Sequence, residues 1–537
     1  MNLHTLRDSV LKRINLYGSY SNAKSNTNLS LTNTKQLDTK SLIKDKPNNH
    51  PNLEINGLSH TFLFGSDLFI SPKQTISLET NIIHSPFNQN HTLQTYNNLF
   101  DTNETHESYV SENHIYDSNQ EFYSLLSYRN DFSDKNRMEL DYAYNISKSE
   151  LQNSYFELPD IETTQNLPSN QNTSVLDFNL KHQFNPTYSF EIGYKNALRK
   201  YDYEYTSVSH HIETETNKDI RHLLYTYLSY SPDKKVKMKI GLAAEKNTLK
   251  SNGQTQDNHS YQPFLNVFYN HSKDLNITLK INSDSEYPYA NQINPFVITT
   301  DRITREKGNP NLNYSTKYTN AVDFKLFKNK LSIEPFYRYT KNHISRTGQA
   351  MSDHFVYTYS NLDRYESYGV RMSTKITLMP KKMFFSLTGA VYTDETEFKA
   401  HTNRLTDFTI NSNIIYISSK HKTLYALMLK KMNAKTIEAY GHNNTNNDYL
   451  GYLIKQPFFK NKMAVTLVYI LPVSSGLSYT MEDYFSYHNF TEKSITNVEI
   501  LKNLLMVNIT VNINKGKEVK TIEKKNYKDK KVTKGLF

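Results

Sequence analysis

Alternation of apolar and polar residues with a period of two is the feature that most constrains this chain. From Leu176 to Phe184 every second residue is apolar except His182, and the residues between them are polar. The same period returns in MELDYAY from Met138, VKMKIGL from Val236, NITLKI from Asn276, VDFKLF from Val322 and VNITVNI from Val507. Successive side chains of a β-strand point to opposite sides, so each segment predicts a strand with one apolar and one polar face.

Short segments rich in Pro, Asn, Asp or Lys separate these strands and predict tight turns. Nine such turns lie near Pro72, Lys135, Pro186, Pro232, Lys273, Lys328, Pro380, Lys420 and Lys460. The connections between them read as long and polar, namely TETNKDIRH, KSNGQTQDNH, GHNNTNND and NPFVITTDRITREKGNPNLN. One end of the predicted sheet therefore has short turns and the other has long loops.

This asymmetry favours a membrane β-barrel over other all-β architectures. The mean hydropathy is −0.69 and no run approaches ~20 apolar residues, which excludes a helical membrane protein. In a propeller, about four strands would occupy the length of chain that holds two strands here. No immunoglobulin-like unit of about 100 residues is visible in the sequence. Strands of about eleven residues tilted by ~45° match the apolar band of an outer-membrane barrel. We therefore expect about twenty antiparallel strands in one closed barrel.

The cysteine count and the charge distribution narrow the function classes. The chain has no cysteine, which excludes disulfides, thiolate metal sites and cysteine nucleophiles. The net charge is +10, with one dense basic block in residues 515–537. Because only Tyr527 offers an aromatic ring among its lysines, we expect a solvated tail rather than a nucleic-acid arm.

Two motifs carry a resemblance to a known family. The first is GNPNL, from Gly308 to Leu312, and the second is NLDRYESYG, from Asn361 to Gly369. With the strand and KN turn between them, they resemble the barrel region of TonB-dependent outer-membrane receptors of the Bacteroidota, specifically the outer membrane protein beta-barrel family. The match is specific over about Asn291 to Thr377 and looser to Asn514.

The resemblance implies fold, location and partners. It implies a barrel of about twenty-two strands in the outer membrane, with short periplasmic turns and long extracellular loops, and energised uptake or binding of a nutrient. The implied partners are outer-membrane lipid, a TonB-type energy-coupling protein and a surface lipoprotein. The resemblance places GNPNL where a long extracellular loop re-enters a strand, with Gly308 permitting a bend and Pro310 disfavouring helix at Asn309. A phosphate-binding glycine loop is excluded because the G-x-x-x-x-G-K-[ST] pattern is missing.

The chain departs from the family pattern at its beginning. Complete receptors start with a signal peptide, an energy-coupling segment and a plug domain, whereas MNLHTLRDSVLKRINLYGSY has no apolar core of ~7–15 residues. We expect a truncated or split reading frame that also lacks the first one or two strands. The expected domains are a barrel over residues 1–514 and a basic tail over residues 515–537.

Other chemistry is weakly indicated. SHHIETE places His210 and His211 near Glu213 and Glu215 in a predicted surface loop, but adjacent strand residues face opposite sides, so no metal site and no cofactor is predicted. No spacing singles out a Ser–His pair, so no catalytic residue is named. The tyrosines near predicted strand ends favour an interfacial girdle over ligand stacking, namely Tyr225, Tyr227, Tyr337, Tyr339, Tyr357 and Tyr359.

The sequence therefore predicts a non-enzymatic barrel whose polar strand faces line the lumen. The lumen-facing residues include Lys237, Lys239, Asp323 and Lys325; the ligand-binding residues are unknown. Two alternatives stay open. A secreted or surface adhesive β-rich protein would pack its apolar strand faces against one another, and a barrel hydrolase would depend on one Ser or His.

Overall fold

The structure is a computed structural model of the 537-residue chain. It describes residues 13–38, 40–45, 53–101, 106–158, 161–206, 212–251, 253–446, 448–459, 462–472, 479–498 and 504–511, together with Lys525 and Tyr527. Among these residues, no helix is long and apolar enough to cross a bilayer.

Nearly all of the described chain is β-strand. The first twelve strands are β1 Ile14–Leu37, β2 Lys40–Asp45, β3 Leu53–Ser71, β4 Gln74–Asp101, β5 His106–Ser133, β6 Asn136–Leu158, β7 Ile161–Gln183, β8 Tyr188–Thr206, β9 Ile212–Tyr230, β10 Val236–Ser251, β11 Gln254–Ser272 and β12 Leu275–Glu286. A short helix, α1 Ala290–Ile293, follows. The remaining strands are β13 Ile298–Thr299, β14 Thr304–Glu306, β15 Ser315–Leu326, β16 Leu331–Lys341, β17 Ile344–Ala350, β18 Phe355–Asn361, β19 Arg364–Met379, β20 Met383–Phe398, β21 His401–Ile417, β22 Leu424–Glu438, β23 Gly441–Asn446, β24 Tyr449–Phe458, β25 Met463–Pro472, β26 Tyr479–Tyr487, β27 Phe490–Val498 and β28 Leu504–Val511.

A single antiparallel sheet of 24 strands forms a barrel. Its strands pair with their neighbours around a ring from β1 through β3 to β22. At the long-loop end the ring closes through β23, β26 and β27, because β27 pairs with the upper half of β1. At the short-turn end the sheet continues from β22 through β24 and β25 to β28. Twenty strands thus reach the short-turn end, which confirms the number expected from the periodicity.

Eight of the nine predicted turns lie in the described residues and join adjacent strands, as expected from their composition. Lys460, in the ninth, lies outside the described residues, between the paired strands β24 and β25. The turn after Ser71 at Pro72 and the turn after Gln183 at Pro186 are examples, each linking two consecutive paired strands. The N-terminal pair is also confirmed, since β1 pairs with β3 over sixteen positions from Ile14 to Leu29.

Strand length and three of the four long loops were predicted wrongly. Strands β3 to β9 have 19–28 residues rather than about eleven. TETNKDIRH lies inside β9, KSNGQTQDNH spans a tight turn between β10 and β11, and GHNNTNND begins with β23. Backbone pairing does not require apolar side chains, so the ladder continues above the apolar band with polar residues on both faces.

The two faces of the wall differ as the period predicts. In β6 the outward residues from Met138 to Ile146 are apolar, and the next outward residues, Lys148 and Glu150, are charged. This nine-residue band is the length needed to span a bilayer with tilted strands. Outward apolar side chains are solvent-exposed rather than packed on a second sheet, for example Leu126 at 48% and Leu242 at 50%. The packing that the adhesive alternative required is therefore not found.

The end of the apolar band near the short turns carries large aromatic side chains. They are exposed by 40% or more and include Phe132, Phe184, Tyr188, Phe327 and Phe459. The tyrosines expected to form such a girdle mostly lie elsewhere. Tyr337 is exposed at 39%, and Tyr339 stacks on Tyr318. Tyr225 and Tyr227 face the lumen, where they contact Asn179 and Lys239. Tyr357 and Tyr359 lie in β18, which belongs to a second, internal sheet.

Candidate functional site

Two connections at the long-loop end fold into the barrel instead of standing above it. Residues 287–314 join β12 to β15, and residues 342–363 join β16 to β19. Together they form a four-stranded sheet in the order β13, β14, β18, β17, in which β14 and β18 are parallel. We call these two segments the cap. The stretch NPFVITTDRITREKGNPNLN lies within the cap, so it does more than return the chain to a strand.

The second family motif begins at Asn361, which contacts Asn313, the residue directly after GNPNL, where the cap leaves the wall. The side-chain amide of Asn361 donates to the carbonyl groups of Asn313 and Asn342, and its oxygen accepts from the amide of Asn313. A Cβ atom at Gly308 would lie 2.6 Å from backbone atoms of Asn291 and Asn294. Glycine is therefore required at this position for close backbone approach and not for a bend with positive φ. The motifs tie the two cap segments to each other.

Asp301 holds the cap to the first strands of the barrel. Its carboxylate accepts from the Nζ atoms of Lys35 in β1 at 2.7 Å and Lys44 in β2 at 2.6 Å, and its own side chain is fully buried. Lys35 also donates to Thr304 in the cap at 2.8 Å and lies 3.4 Å from Glu492 in β27. Buried charges of this kind are tolerated only when paired.

Two cap arginines extend the charge pairing to other parts of the ring. Arg302 pairs with Glu107 in β5 at 2.6 Å and with Glu157 in β6. Arg346 pairs with Glu438 in β22 at 3.0 Å and with Asp483 in β26 at 2.8 Å. The cap is thus fixed by ion pairs to strands on different sides of the lumen.

An aromatic cluster completes the contact between the cap and the wall. Phe355 of β18 is fully buried and stacks on Phe490 of β27 with ring centroids 4.0 Å apart. Phe485 packs against the same ring, and Leu37 of β1 belongs to the cluster. The hydroxyl group of Tyr357 donates to Glu492. On the far side of the ring, Phe296 stacks on Tyr205 of β8 at 5.0 Å.

Burial and charge shift the pKa values of two cap carboxyl groups in opposite directions. Burial opposes ionisation of Asp301, but the two lysine ammonium groups hold its pKa below the usual value. Burial raises the pKa of Glu306 to about 7, although Arg346 and a hydrogen bond from Tyr359 partly oppose the shift. Asp301 therefore docks as an anion, whereas Glu306 is partly protonated near neutral pH.

The sequence-predicted lumen residues face inward, below the cap. Lys239 pairs with Glu191 at 3.1 Å and lies over the Tyr227 ring at 4.1 Å. Lys237 shares its face of β10. Asp323 accepts from Ser332 at 2.6 Å and lies 3.4 Å from Lys280 and 3.9 Å from Lys325. The lumen wall is lined by paired charges.

The other candidates are placed as follows. Glu213 and Glu215 lie in strand β9 rather than in a loop, and His210 and His211 lie outside the described residues. Across the part of the chain that the structure describes, no three His, Asp or Glu side chains are grouped so as to hold a metal ion.

The basic tail differs from expectation at the two residues of it that the structure describes. Lys525 and Tyr527 contact the lumen face of β6 and β7 and are not simply solvated. Their partners were not predictable, because they lie about 350–390 positions earlier in the chain.

Sequence reasoning did not identify the cap residues. Asp301, Arg302 and Glu306 stand in a stretch that also contains Phe296, Ile298 and Ile303, which become buried. The sequence did contain one signal: large apolar residues alternate with charged residues in this long loop. A loop exposed to solvent would not be expected to contain large apolar residues, so their presence indicates a buried segment.

Comparison with known proteins gives one family match. A family model described as the outer membrane protein beta-barrel family matches residues 145–499, which is more than half of the chain. No curated protein sequence matches the chain.

Solved structures resemble the barrel at very low sequence identity. The copper transporter OprC superposes with a TM-score of 0.56 at 6% identity, covering 88% of this chain and 80% of that one. The FpvAI–pyocin S2 complex gives 0.52 at 7% identity, covering 88% and 73%. The FrpB iron transporter from Neisseria meningitidis, F5-1 variant, gives 0.51 at 8% identity, covering 91% and 83%. At these identities the similarity shows a shared fold.

Proposed function

This chain belongs to the outer membrane protein beta-barrel family, and on that premise we propose that it is a gated receptor that binds a ligand outside the cell and admits it through the barrel. The family match confirms the resemblance carried by GNPNL and NLDRYESYG and the location in the outer membrane. Receptor and transporter structures with the same fold are consistent with a protein that is not an enzyme.

The observation that carries the proposal is the docked cap. A standing diffusion pore needs an open lumen, whereas here two inter-strand segments cross the long-loop end and are fixed by the buried ion pairs of Asp301 and the partly buried ion pairs of Arg346. A ligand can pass only when those contacts are released. Such release needs energy from ligand binding or from a coupled partner, so we propose a TonB-type energy-coupling protein as partner, with a surface lipoprotein as a second.

For the ligand, we propose a metal chelate. The support is that two solved structures with this fold are described as a copper transporter and an iron transporter. Arg302 and Arg346 of the cap lie over the rings of Tyr109 and Tyr357. When these arginines exchange their carboxylate partners for a ligand, they suit an anionic chelate better than a bare cation.

A reversible cysteine lock tests this function. The side-chain amide of Asn153 in β6 reaches the carbonyl group of Thr299 in the cap at 3.4 Å, and the chain has no other thiol. The double variant Asn153→Cys, Thr299→Cys is produced in a Gram-negative host without its own ferric citrate receptor. The probe is iron-55 ferric citrate, an anionic chelate.

We expect the reduced double variant to accumulate the iron, and oxidation or a protonophore to stop accumulation. Each single cysteine variant serves as a control that oxidation should not affect. Accumulation that persists after oxidation or with the protonophore would overturn the gated, energised mechanism. Absence of accumulation in the unmodified chain would overturn the ferric chelate as ligand.

A further inference from the structure

Three lysines form a row on the outward face of the barrel wall, at the upper edge of the apolar band. Lys200 of β8 lies directly opposite Lys218 of β9, and Lys218 lies directly opposite Lys250 of β10. Two residues nearer the short turns on the same face, β8 and β9 carry Leu198 and Ile220, which are apolar and opposite each other. The row therefore lies where lipid tails give way to lipid headgroups.

The β8 end of this row has only one acidic partner. Cationic side chains at directly opposed positions of neighbouring strands repel each other and destabilise a sheet. Asp202 pairs with the Nζ atom of Lys200 at 2.7 Å and also interacts electrostatically with Lys218. One carboxylate thus serves two ammonium groups.

The β10 end of the row has no acidic partner of its own. Lys250 is exposed, forms no ion pair within the described part of the chain, and has Thr255 opposite it in β11. Asp257, two residues further along β11, pairs instead with Lys246 of β10 at 3.6 Å. At the level of the row, four lysines therefore face two aspartates, and an anion bound from outside would neutralise the excess charge.

A groove lies on the same outward face, immediately above the row. It has a volume of about 660 Å³ and crosses β5 to β9. Its side chains offer hydroxyl, amide, ammonium and carboxylate groups, and they include Gln120, Lys148, Asn170, Glu204, Thr214 and Thr216. Such groups hydrogen-bond the hydroxyl groups of a saccharide, and a groove of this size accommodates a ligand as large as a disaccharide.

Asp202 connects the row to the groove. Its carboxylate accepts from Lys200 at 2.7 Å and from the hydroxyl group of Thr216 at 2.7 Å, and it belongs to the lining of the groove. From the short turns upward, the outward face therefore presents an apolar band, a cationic row and a polar groove in direct succession.

An acylated, phosphorylated saccharide has the same three parts in the same order. Its acyl chains would lie on the band, its phosphate groups on the lysines and its sugar hydroxyl groups in the groove. Glu150, Asp202 and Glu204 line the groove together with a single lysine, so a phosphate group is repelled from the groove and directed to the row. A phospholipid headgroup without a saccharide would leave the groove unused.

We propose that this outward face of β5 to β10 binds the phosphorylated saccharide headgroup of a membrane glycolipid. Bound phosphate groups neutralise the lysine row and so stabilise the part of the wall where like charges oppose each other. The site is outside the lumen, so it is independent of the cap and of any ligand that is admitted through the barrel.

Binding of a defined glycolipid to the intact chain in detergent tests the lysine row. The probe is a diphosphorylated, acylated glucosamine disaccharide, and native mass spectrometry measures the fraction of protein that carries it. We expect the double variant Lys218→Gln, Lys250→Gln to bind on the order of tenfold more weakly than the unmodified chain, because two charges that pair with phosphate are lost. The control Lys381→Gln, Lys382→Gln removes the same charge in the exposed short turn between β19 and β20 and should bind like the unmodified chain.

Equal binding by the two double variants would overturn the lysine row as the phosphate site, and so would the absence of bound glycolipid on the unmodified chain. Removal of the phosphate groups from the probe should weaken its binding to the unmodified chain. The double variant at Lys218 and Lys250 should no longer distinguish the two forms of the probe. Heat-dependent gel mobility confirms that each variant is folded.

The groove is tested separately by adding bulk to it. Thr214 is an exposed residue of the groove lining, so Thr214→Trp fills the groove and leaves the lysines intact. We expect this variant to bind the glycolipid several-fold more weakly, while binding of phosphatidylglycerol, which has a phosphate group but no saccharide, is unchanged. The matched control is Thr402→Trp, at an exposed threonine of β21 outside the groove.

Two results would overturn the saccharide part of the proposal. One is equal binding of the glycolipid by Thr214→Trp and Thr402→Trp. The other is binding of phosphatidylglycerol to the unmodified chain as tightly as the glycolipid, which would make the row a general surface for lipid phosphate. Neither result depends on the identity of the imported ligand.

Discussion

At the scale of single residues, docking of the cap depends most on Asp301. One carboxylate pairs with the ammonium groups of both Lys35 and Lys44; Lys35 also lies near Glu492, whereas Lys44 forms no other ion pair among the described residues. Removing one partner of a buried ion pair costs about 3–5 kcal/mol, because the remaining charge is buried without compensation. Lys35 and Lys44 belong to β1 and β2, but the backbone ladders of these strands do not depend on the pair, so the loss falls mainly on docking of the cap.

We therefore predict that Asp301→Asn releases the cap and leaves the barrel folded. Trypsin cleavage after Lys307, an exposed cap residue, should become much faster, while heat-dependent gel mobility is kept. Asp353→Asn is the matched control, since that side chain is 64% exposed at the cap tip. Equal cleavage rates for the two variants would show that the buried pairs do not hold the cap.

Glu306 makes cap docking pH-dependent. Its pKa is raised by burial to about 7 from a usual value near 4.5, so the docked cap binds a proton that the released cap does not. The stability of the docked state must therefore fall as pH rises through this window. Burial lowers the pKa of His343 to about 4 from 6.5, so its opposing contribution arises below pH 6.5.

Between pH 6.5 and about pH 8 we predict that docking weakens by on the order of 1 kcal/mol. The measurement is the rate of trypsin cleavage after Lys307, corrected for the pH dependence of the protease on an unfolded peptide. In Glu306→Gln the pH dependence should disappear, because the amide does not titrate. A pH response that survives this substitution would assign it to another group.

At the scale of elements, each strand has a lipid-facing part and a continuing polar part. The sequence showed the first part clearly, because alternation with turns at one end is a local pattern. The nine turns were predictable for the same reason. The polar upper parts of β5 to β9 were not predictable. Residues such as those of TETNKDIRH are polar on both faces, so they show no alternation, and they form a strand only because they pair with a neighbouring strand.

The two parts of β5 should respond differently to a charge. Leu126→Arg places a cation in the apolar band and should cost about 2–4 kcal/mol in lipid, whereas Gln120→Arg, on the same face above the band, should cost about 0–1 kcal/mol. Urea unfolding in lipid vesicles measures both. If the two substitutions lowered the free energy of unfolding equally, the apolar band would not mark the position of the membrane.

The cap could not be foreseen from local pattern. Its contacts join residues far apart in sequence, such as Asp301 with Lys35, 266 positions apart, and Arg346 with Asp483, 137 positions apart. The GNPNL and NLDRYESYG motifs were recognised by resemblance, but their shared function of joining the two cap segments through Asn309, Asn313 and Asn361 appears only when both are folded.

At the scale of the whole molecule, the barrel has a charged lumen that the cap crosses at one end. The cap joins opposite sides of the ring at the outer end, and Lys525 and Tyr527 bind the wall toward the inner end. Both sets of contacts are ion pairs or hydrogen bonds to the barrel wall. Such contacts can be exchanged for contacts with a charged ligand or partner without disturbing the strands, as the proposed gating requires.

The most direct test of this account is the single-channel conductance of the intact, folded chain in a planar bilayer. The account predicts that the intact chain passes almost no current, and that Asp301→Asn, in which the cap is released, forms a steady, larger pore. An intact chain that conducts as readily as this variant would contradict closure of the lumen by the cap and would make the protein a standing diffusion pore.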